Sequence, residues 1–350
     1  MDQITQAQVA HGAQVTVITD QRTPGLPLHE AHWGVEVHRV PMQDALRERN
    51  PSAILEVTEP IERIISAFLP EVIHLHANGP SVWIYLLSRS ARDILFILTL
   101  HTPFSHLPFS LSFFDRLVSR ASWISAVSDS LLQDFIARHP ESADRSSRIW
   151  NGLPAPNSPP MSPSPPPHPV VMAVGRLVPE KGFDFAISLF ASGQPLCPSA
   201  RLLIVGDGPD FASLNKFAAD QLKPGSYEFT ESVAPEEVPP LMAEVSLVVI
   251  PSLWAEPFGL VALQAAQAGV PVLASDTGGL AERVVSGTSG QLLPPGDLTT
   301  WHDALLYALQ HPKKTRRMGD SAREFVNERF GFEQCVGRYR EVYLRITGRA

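Results

Sequence analysis

Residues 246–282, SLVVIPSLWAEPFGLVALQAAQAGVPVLASDTGGLAE, decide the fold. Val248, Val249 and Ile250 form an apolar run that stops at Pro251, the pattern of a buried parallel strand meeting a loop. The loop carries Glu256. Past Gly259, LVALQAAQAG spaces its apolar residues as a helix does and ends at Gly269, a residue suited to the left-handed turn after a helix. A second strand follows over 270–274, and then the pair Gly278-Gly279. Such a βαβ unit gathers strand ends, glycines and one carboxylate at a point outside the sheet, where open α/β folds bind ligands. The N–H groups of Phe258, Gly259 and Leu260 open the helix and suit an anion. A carboxylate beside an anion needs a separate task, and the hydroxyls of a sugar supply one.

Working outward, strand 170–174 ends at Gly175-Arg176, and Lys181-Gly182 follows at the start of a helix over 183–190. Two cations at one strand's carboxyl end, beside a helix N-terminus, make a diphosphate site. Arg binds phosphate oxygens bidentately and Lys acts as a point charge, so together they neutralise a leaving nucleoside diphosphate without a metal. The plainer alternative is a solvated Arg and Lys at a helix start. Gly206-Asp207-Gly208-Pro209 joins strand 201–205 to the next helix; lacking the third glycine of a dinucleotide fingerprint, it reads singly as a tight βα turn and argues against a Rossmann oxidoreductase. Strand 227–230, helix 236–242 and closing helices at 298–309, 315–329 and 332–346 complete this half.

The first half alternates in the same way. A helix ends near residue 11, Gly12 stops it, and strands are expected within QVTVITD and over 34–40, 71–76, 95–100 and 123–127. Helices are expected over 54–68, 82–89 and 131–137, with Ser128 as an N-cap. Alternation of this kind implies a mostly parallel sheet covered on both faces. His101 stands at a strand's carboxyl end and faces a cleft if two such sheets oppose each other. His74 and His76 share one strand face, in core or supporting roles rather than as metal ligands. Phe104, Phe109, Phe113 and Phe114 offer either a lipid-facing lid or packing onto the sheet. From 154 to 169, nine of sixteen residues are proline, a semi-rigid spacer and a domain boundary.

A chain of 350 residues is long enough for two domains. Net charge is −8 with no basic patch, which excludes a nucleic-acid partner. Cys197 and Cys335 lie far apart in no metal-type spacing, so neither a disulfide framework nor a metal site is expected, and a cytoplasmic location is. The window 82–100 carries Arg89, Arg92 and Asp93, too many charges for a membrane span.

Taken together, VMAVGRLVPEKGFD, LLIVGDGPD, VVIPSLWAEPFGLVAL and AGVPVLASDTGGLAE, in this order and spacing, resemble the retaining glycosyltransferases of family 4. EVIHLH, LTLHTPF, ISAVSDSL and IWNGLP extend the resemblance over nearly the whole chain. It implies the GT-B architecture, two Rossmann-like domains with parallel sheets facing across a cleft. Residues 1–153 would form the acceptor-side domain, 154–169 the linker, 170–331 the nucleotide-sugar domain, and 332–350 a helix crossing back to the first domain. Arg176 and Lys181 would hold the donor diphosphate, Glu256 the transferred sugar, and the amides of Phe258, Gly259 and Leu260 both sugar and phosphate. Gly175, Gly206 and Gly208 would line the donor, and His101 would stand near the donor sugar. The donor would be a UDP- or GDP-linked sugar, with no cofactor and no metal. The acceptor stays open among saccharide, lipid-linked and small-molecule classes, and peripheral membrane association stays open with it.

Two departures matter. Where the family's Glu-x7-Glu motif carries its second carboxylate, this chain has Gln264, which reaches a ribose hydroxyl without charge assistance. Family members also open on a strand and Gly-rich loop, whereas this sequence begins on a helix, so the reading expects a truncated gene model or fragment. The competing function is a non-catalytic or degenerate nucleotide-sugar-binding protein.

Overall fold

The computed structural model describes residues 2–21, 23, 25–48, 50–76, 82, 85, 87–103, 111–154, 168–231, 233–234 and 236–349. Positions 83, 84 and 86 of the helix expected over 82–89 fall outside these residues, as do Phe104, Phe109 and positions 155–167 of the Pro-rich spacer. The chain divides into two units, Met1–Trp150 with Glu333–Ala350, and Asn151–Phe332.

The second unit is built on one six-stranded sheet. Numbering strands along the whole chain, its members are β8 (Val170–Val174), β9 (Arg201–Val205), β10 (Tyr227–Thr230), β11 (Leu247–Ile250), β12 (Val272–Ser275) and β13 (Gly290–Leu293). Their spatial order is β10-β9-β8-β11-β12-β13, every pairing parallel. The order reverses between β8 and β11, which places the switch point, and the crevice beyond it, at the loops that follow those two strands.

Alternation along the strands divides the core. Val171, Ala173, Leu202, Ile204, Leu247, Val249, Leu273 and Leu293 join one cluster, with the helices Phe183–Gly193 and Leu298–Gln310 contributing Ile187, Phe190, Trp301 and Leu305. Met172, Val205, Val248, Ile250, Val272 and Ala274 join the other, with Ala262 and Ala265 of the helix Leu260–Gln267. Both sheet faces are therefore dry, as continuous apolar strands require. β13 carries two glycine- and glutamine-type positions ahead of its leucines, and this weak apolar signature hid it from sequence reading.

The first unit has two sheets rather than one. β1 (Thr16–Asp20), β2 (His29–His32) and β3 (Val35–Val40) are ordered β1-β3-β2, with β2 antiparallel. β4 (Val72–His76), β5 (Leu95–Leu100), β6 (Trp123–Ala126) and β7 (Ser146–Arg148) form the second sheet, all parallel. No described strand hydrogen-bonds β1 to β4, so each of these two ends its sheet. The short β2, HEAH, is polar and exposed on a turn of the chain and has no hydrophobic alternation to betray it. The closing helix Phe332–Ile346 packs Cys335, Tyr339 and Val342 against Ile97, Trp123 and Ile149. Ser128 caps the helix Asp129–Arg138 by accepting from Leu131 N at 3.2 Å, as the sequence indicates. Phe114 is fully buried, so this member of the aromatic run packs inward. Among the described residues no helix is long and apolar enough to cross a membrane.

Candidate functional site

Three loops meet at the switch point of the second unit, and backbone atoms hold them together. After β8, Gly175 N donates to Val205 O at 3.0 Å and Leu177 N to Asp207 O at 2.9 Å, which zips the GRLVPEK loop to the GDGPD loop. The approach leaves no room for side chains: a Cβ on Gly206 would sit 1.9 Å from Gly175 O, and one on Gly208 2.2 Å from Leu177 O. Gly206 also has φ +145°, where an L-residue is strained. These two glycines thus serve loop-to-loop contact.

The same loop then turns to β11. Pro179–Lys181 form a short 3-10 turn, Gly182 takes φ +68°, and Leu253 N donates to Glu180 O at 2.9 Å. A Cβ on Gly182 would lie 2.3 Å from Pro251 O. Lys181 is in this way delivered to Glu256: Nζ and Oε1 are 2.5 Å apart. Ser252 Oγ donates to that same Oε1 at 2.6 Å, and Ser252 is wholly buried. Glu256 Oε2 meets no donor among the described residues, so one carboxylate oxygen is occupied twice and the other keeps its lone pairs. The ammonium also lies 5.5 Å from the Trp254 ring centroid. Glu256 is 6% exposed and would be costly to bury unpaired, so the Lys181 ammonium and the serine hydroxyl are what make this carboxylate tolerable.

The glycine pair fixes the rest of the loop. Gly279 N donates to Glu256 O at 2.6 Å, and a Cβ on Gly278 would fall 2.4 Å from that oxygen. Gly259, at φ +83°, begins the eight-residue helix Leu260–Gln267 and offers no side-chain cap. First-turn amides of a helix have no intrahelical acceptor, so the N–H groups at Gly259 and Leu260 carry the dipole's positive end at the crevice. Gln264 lies one turn beyond Leu260 on the same helix face and is half-buried. Arg176 leaves the end of β8 into solvent, and its guanidinium has no partner among the described residues.

Sequence reading missed Arg283. Its side chain is fully buried, its guanidinium carbon stands 3.9 Å over the Phe258 ring and 4.8 Å from the Phe330 ring, and Nη1 reaches Glu282 Oε2 at 3.1 Å. A cation stacked beneath Phe258 props the loop that carries the helix N-terminus. In the sequence Glu282-Arg283 reads as an ordinary surface ion pair, and nothing there signals burial. Ser252 was missed for a similar reason, since a serine after a strand is the commonest of loop residues.

His101 belongs to the first unit, at the end of β5. Its Nε2 and His76 Nδ1 are 2.8 Å apart, and His76 stacks on His74 with ring centroids 4.2 Å apart. His74 Nδ1 meets Tyr343 Oη and His74 Nε2 meets Thr99 Oγ1, both at 2.7 Å, and Thr99 continues to Ser125 at 2.6 Å. Gln8 donates to the same tyrosine oxygen at 2.8 Å. Burial lowers the pKa of His101 to about 4 and, with the His101 ring nearby, that of His74 to about 3. Burial and both neighbouring imidazoles push His76 down as well. All three rings are therefore neutral at pH 7.

Residues 1–155 match the family model described as Glycosyltransferase Family 4, and residues 156–325 the model described as Glycosyl transferases group 1. A GDP-mannose-dependent alpha-(1-6)-phosphatidylinositol monomannoside mannosyltransferase of Mycolicibacterium smegmatis is 30% identical over 180 residues, half of this chain and 47% of that protein. The matched stretches span less than half the length of the curated relatives. Among solved structures, sucrose-phosphate synthase from Thermosynechococcus elongatus superposes with a TM-score of 0.86 at 22% identity, covering 99% of this chain and 92% of that one. Anabaena HepE, solved in complex with UDP and glucose, gives 0.76 at 22% identity, covering 95% and 100%. At such identities the likeness establishes the fold, which is GT-B. The chain belongs to the family 4, group 1 glycosyltransferases.

Proposed function

We propose that the chain is a retaining glycosyltransferase that moves a sugar from a nucleotide-diphosphate sugar to an acceptor hydroxyl, without a metal. The observation that carries this reading is Glu256, a buried carboxylate with Oε1 held by Lys181 and Ser252 and Oε2 left to accept, set beside an uncapped helix N-terminus. A diphosphate entering the crevice takes the amides of Phe258, Gly259 and Leu260 and competes for the Lys181 ammonium, while Arg176 swings in from solvent to the outer phosphate. Gly175 keeps the β8 strand end open to it. Glu256 Oε2 then accepts from a sugar hydroxyl, and Gln264 serves the nucleoside's ribose. That HepE was solved with UDP and glucose, and that the mycobacterial relative is named GDP-mannose-dependent, supports a UDP- or GDP-linked donor.

In the proposed step the bond from the anomeric carbon to the phosphate oxygen breaks and its electron pair leaves with the diphosphate. The acceptor oxygen bonds to the same carbon from the same face, and its proton passes to the departing phosphate. Two cations and a helix N-terminus stabilise the growing negative charge, which is the role a metal would otherwise fill. His101, held neutral by burial, acts in this scheme as a hydrogen-bonding group rather than a proton source. The reading includes a cytoplasmic setting, in keeping with the two cysteines, Cys197 and Cys335, being held as thiols rather than as a disulfide.

Incubation of the purified chain with UDP- and GDP-sugars and a panel of acceptors tests the reading. Release of UDP or GDP, with the product keeping the donor's anomeric configuration, is the expected result; an inverted product removes the retaining mechanism. The neutral Gln264 favours a second reading, a binding module without turnover. Saturable donor binding with no nucleotide release on any acceptor would establish that alternative.

A further inference from the structure

The hairpin of β2 and β3 closes through Trp33 and Gly34, with φ of 54° and 77°, as a two-residue type I′ turn requires. This turn fixes a register in which His29 lies directly opposite His38 and Ala31 opposite Glu36. Because side chains alternate along a strand, His29, Glu36 and His38 stand on one face of the hairpin. The imidazoles of His29 and His38 stack at 4.6 Å between centroids with 22° between planes, and the Glu36 carboxylate touches Nε2 of His29. One ligand atom from each of the three residues lies within 4.8 Å of the others. The neighbouring carboxylate, Glu30 of β2, is engaged by Arg39 and stays outside this group.

We propose that His29, Glu36 and His38 bind a divalent late transition-metal ion of the Zn2+ class. Two imidazoles and one carboxylate are the donors that Zn2+, Ni2+ and Cu2+ prefer, and they supply too few oxygens for Mg2+ or Ca2+. Metal bonds of about 2.0–2.2 Å bring tetrahedral ligand atoms to roughly 3–4 Å from one another, so the present spacing tightens by small side-chain rotations on a backbone already in place. His29 and Glu36 side chains are 55% and 52% exposed, which gives the ion direct entry and leaves its remaining positions to water. Among the described strands β2 is an edge joined to β3 alone, and an ion ligated from both strands would clasp it.

Titration calorimetry of the untagged full-length chain with Zn2+ tests the site. One saturable event is expected, weakened at least about tenfold by His29→Ala or His38→Ala and to a smaller extent by Glu36→Gln. His11→Ala, which alters an exposed histidine elsewhere, should leave it unchanged. Zinc should also slow amide hydrogen exchange over residues 29–38 of the wild-type chain, a readout that needs no variant, and Mg2+ should do neither. The proposal is overturned if no saturable binding occurs, if His29→Ala/His38→Ala binds zinc as tightly as wild type, if the slowed amides lie elsewhere, or if Mg2+ binds the hairpin equally well.

Discussion

In the second unit, the loops after β8, β9 and β11 are joined by backbone atoms, glycine against carbonyl. In the first unit, the corresponding end of the four-stranded sheet is joined by side chains, with His74, His76, Thr99 and Ser125 linking three strands and Tyr343 closing the row from the last helix. The two solutions respond to different threats. A backbone zip tolerates no added volume but is indifferent to pH, whereas a buried imidazole row tolerates small changes of shape but not protonation.

Gly206→Ala strikes the zip hardest. Its methyl would meet Gly175 O at 1.9 Å in a backbone conformation that already disfavours a side chain. Overpacking and strain together are expected to cost about 3–4 kcal/mol, lowering the melting temperature of this unit by roughly 10 °C. A calorimetric trace unchanged within a degree or two would show that the two loops can part freely, and the contrast between the units would vanish.

Arg283→Ala comes next. It removes the buried cation on which Phe258 rests and opens space beneath the loop, at about 2–3 kcal/mol. Donor affinity should fall with stability, since the helix N-terminus at Gly259 loses its prop; Arg283→Lys, which keeps charge but not the planar stack, should recover little of either. Recovery by lysine would assign Arg283 an electrostatic rather than a packing role.

Acid sharpens the comparison from the other side. His74 and His101 have folded-state pKa values of about 3 and about 4 against an ordinary 6.5. Below about pH 6.5 the unfolded chain binds protons that the folded one refuses, so stability is intact above that pH and declines as pH falls toward the folded values. Each histidine contributes a slope of up to about 1.4 kcal/mol per pH unit. Unfolding followed by a probe in the first unit should move to lower temperature between about pH 6 and 4, and the second unit should lag behind. Equal acid sensitivity in both units would contradict the account.

The same contrast explains what the sequence disclosed. Gly182, Gly206, Gly208, Gly259 and the pair 278–279 announce their loops because only glycine fits such close approaches, Gly175 does so through its φ of +147°, and the apolar strands between them need no interpretation. Lys181 and Glu256 were legible because they are punctuated by those glycines. Arg283 and Ser252 were not, since burial of a polar residue depends on what packs over it from distant sequence. β2, a polar edge strand, and the helix Met42–Glu48 carry little periodicity to read. His74 and His76 were placed correctly on one strand face, but their link to His101, Tyr343 and Ser125 lies in strand register, which local pattern does not specify.

The account rests on the crevice at β8 and β11 holding a nucleotide-diphosphate sugar through Lys181 and Glu256. Calorimetric titration of wild type and Lys181→Ala with UDP-glucose and GDP-mannose measures this directly, with a thermal melt of each protein alongside. Saturable binding of at least one donor by wild type is expected, weakened about a hundredfold or more in Lys181→Ala, whose melting temperature also falls because Glu256 stays buried without its counterion, so both titrations are run well below the lower melting temperature. Equal donor affinity in the two proteins, or binding by neither, would contradict it.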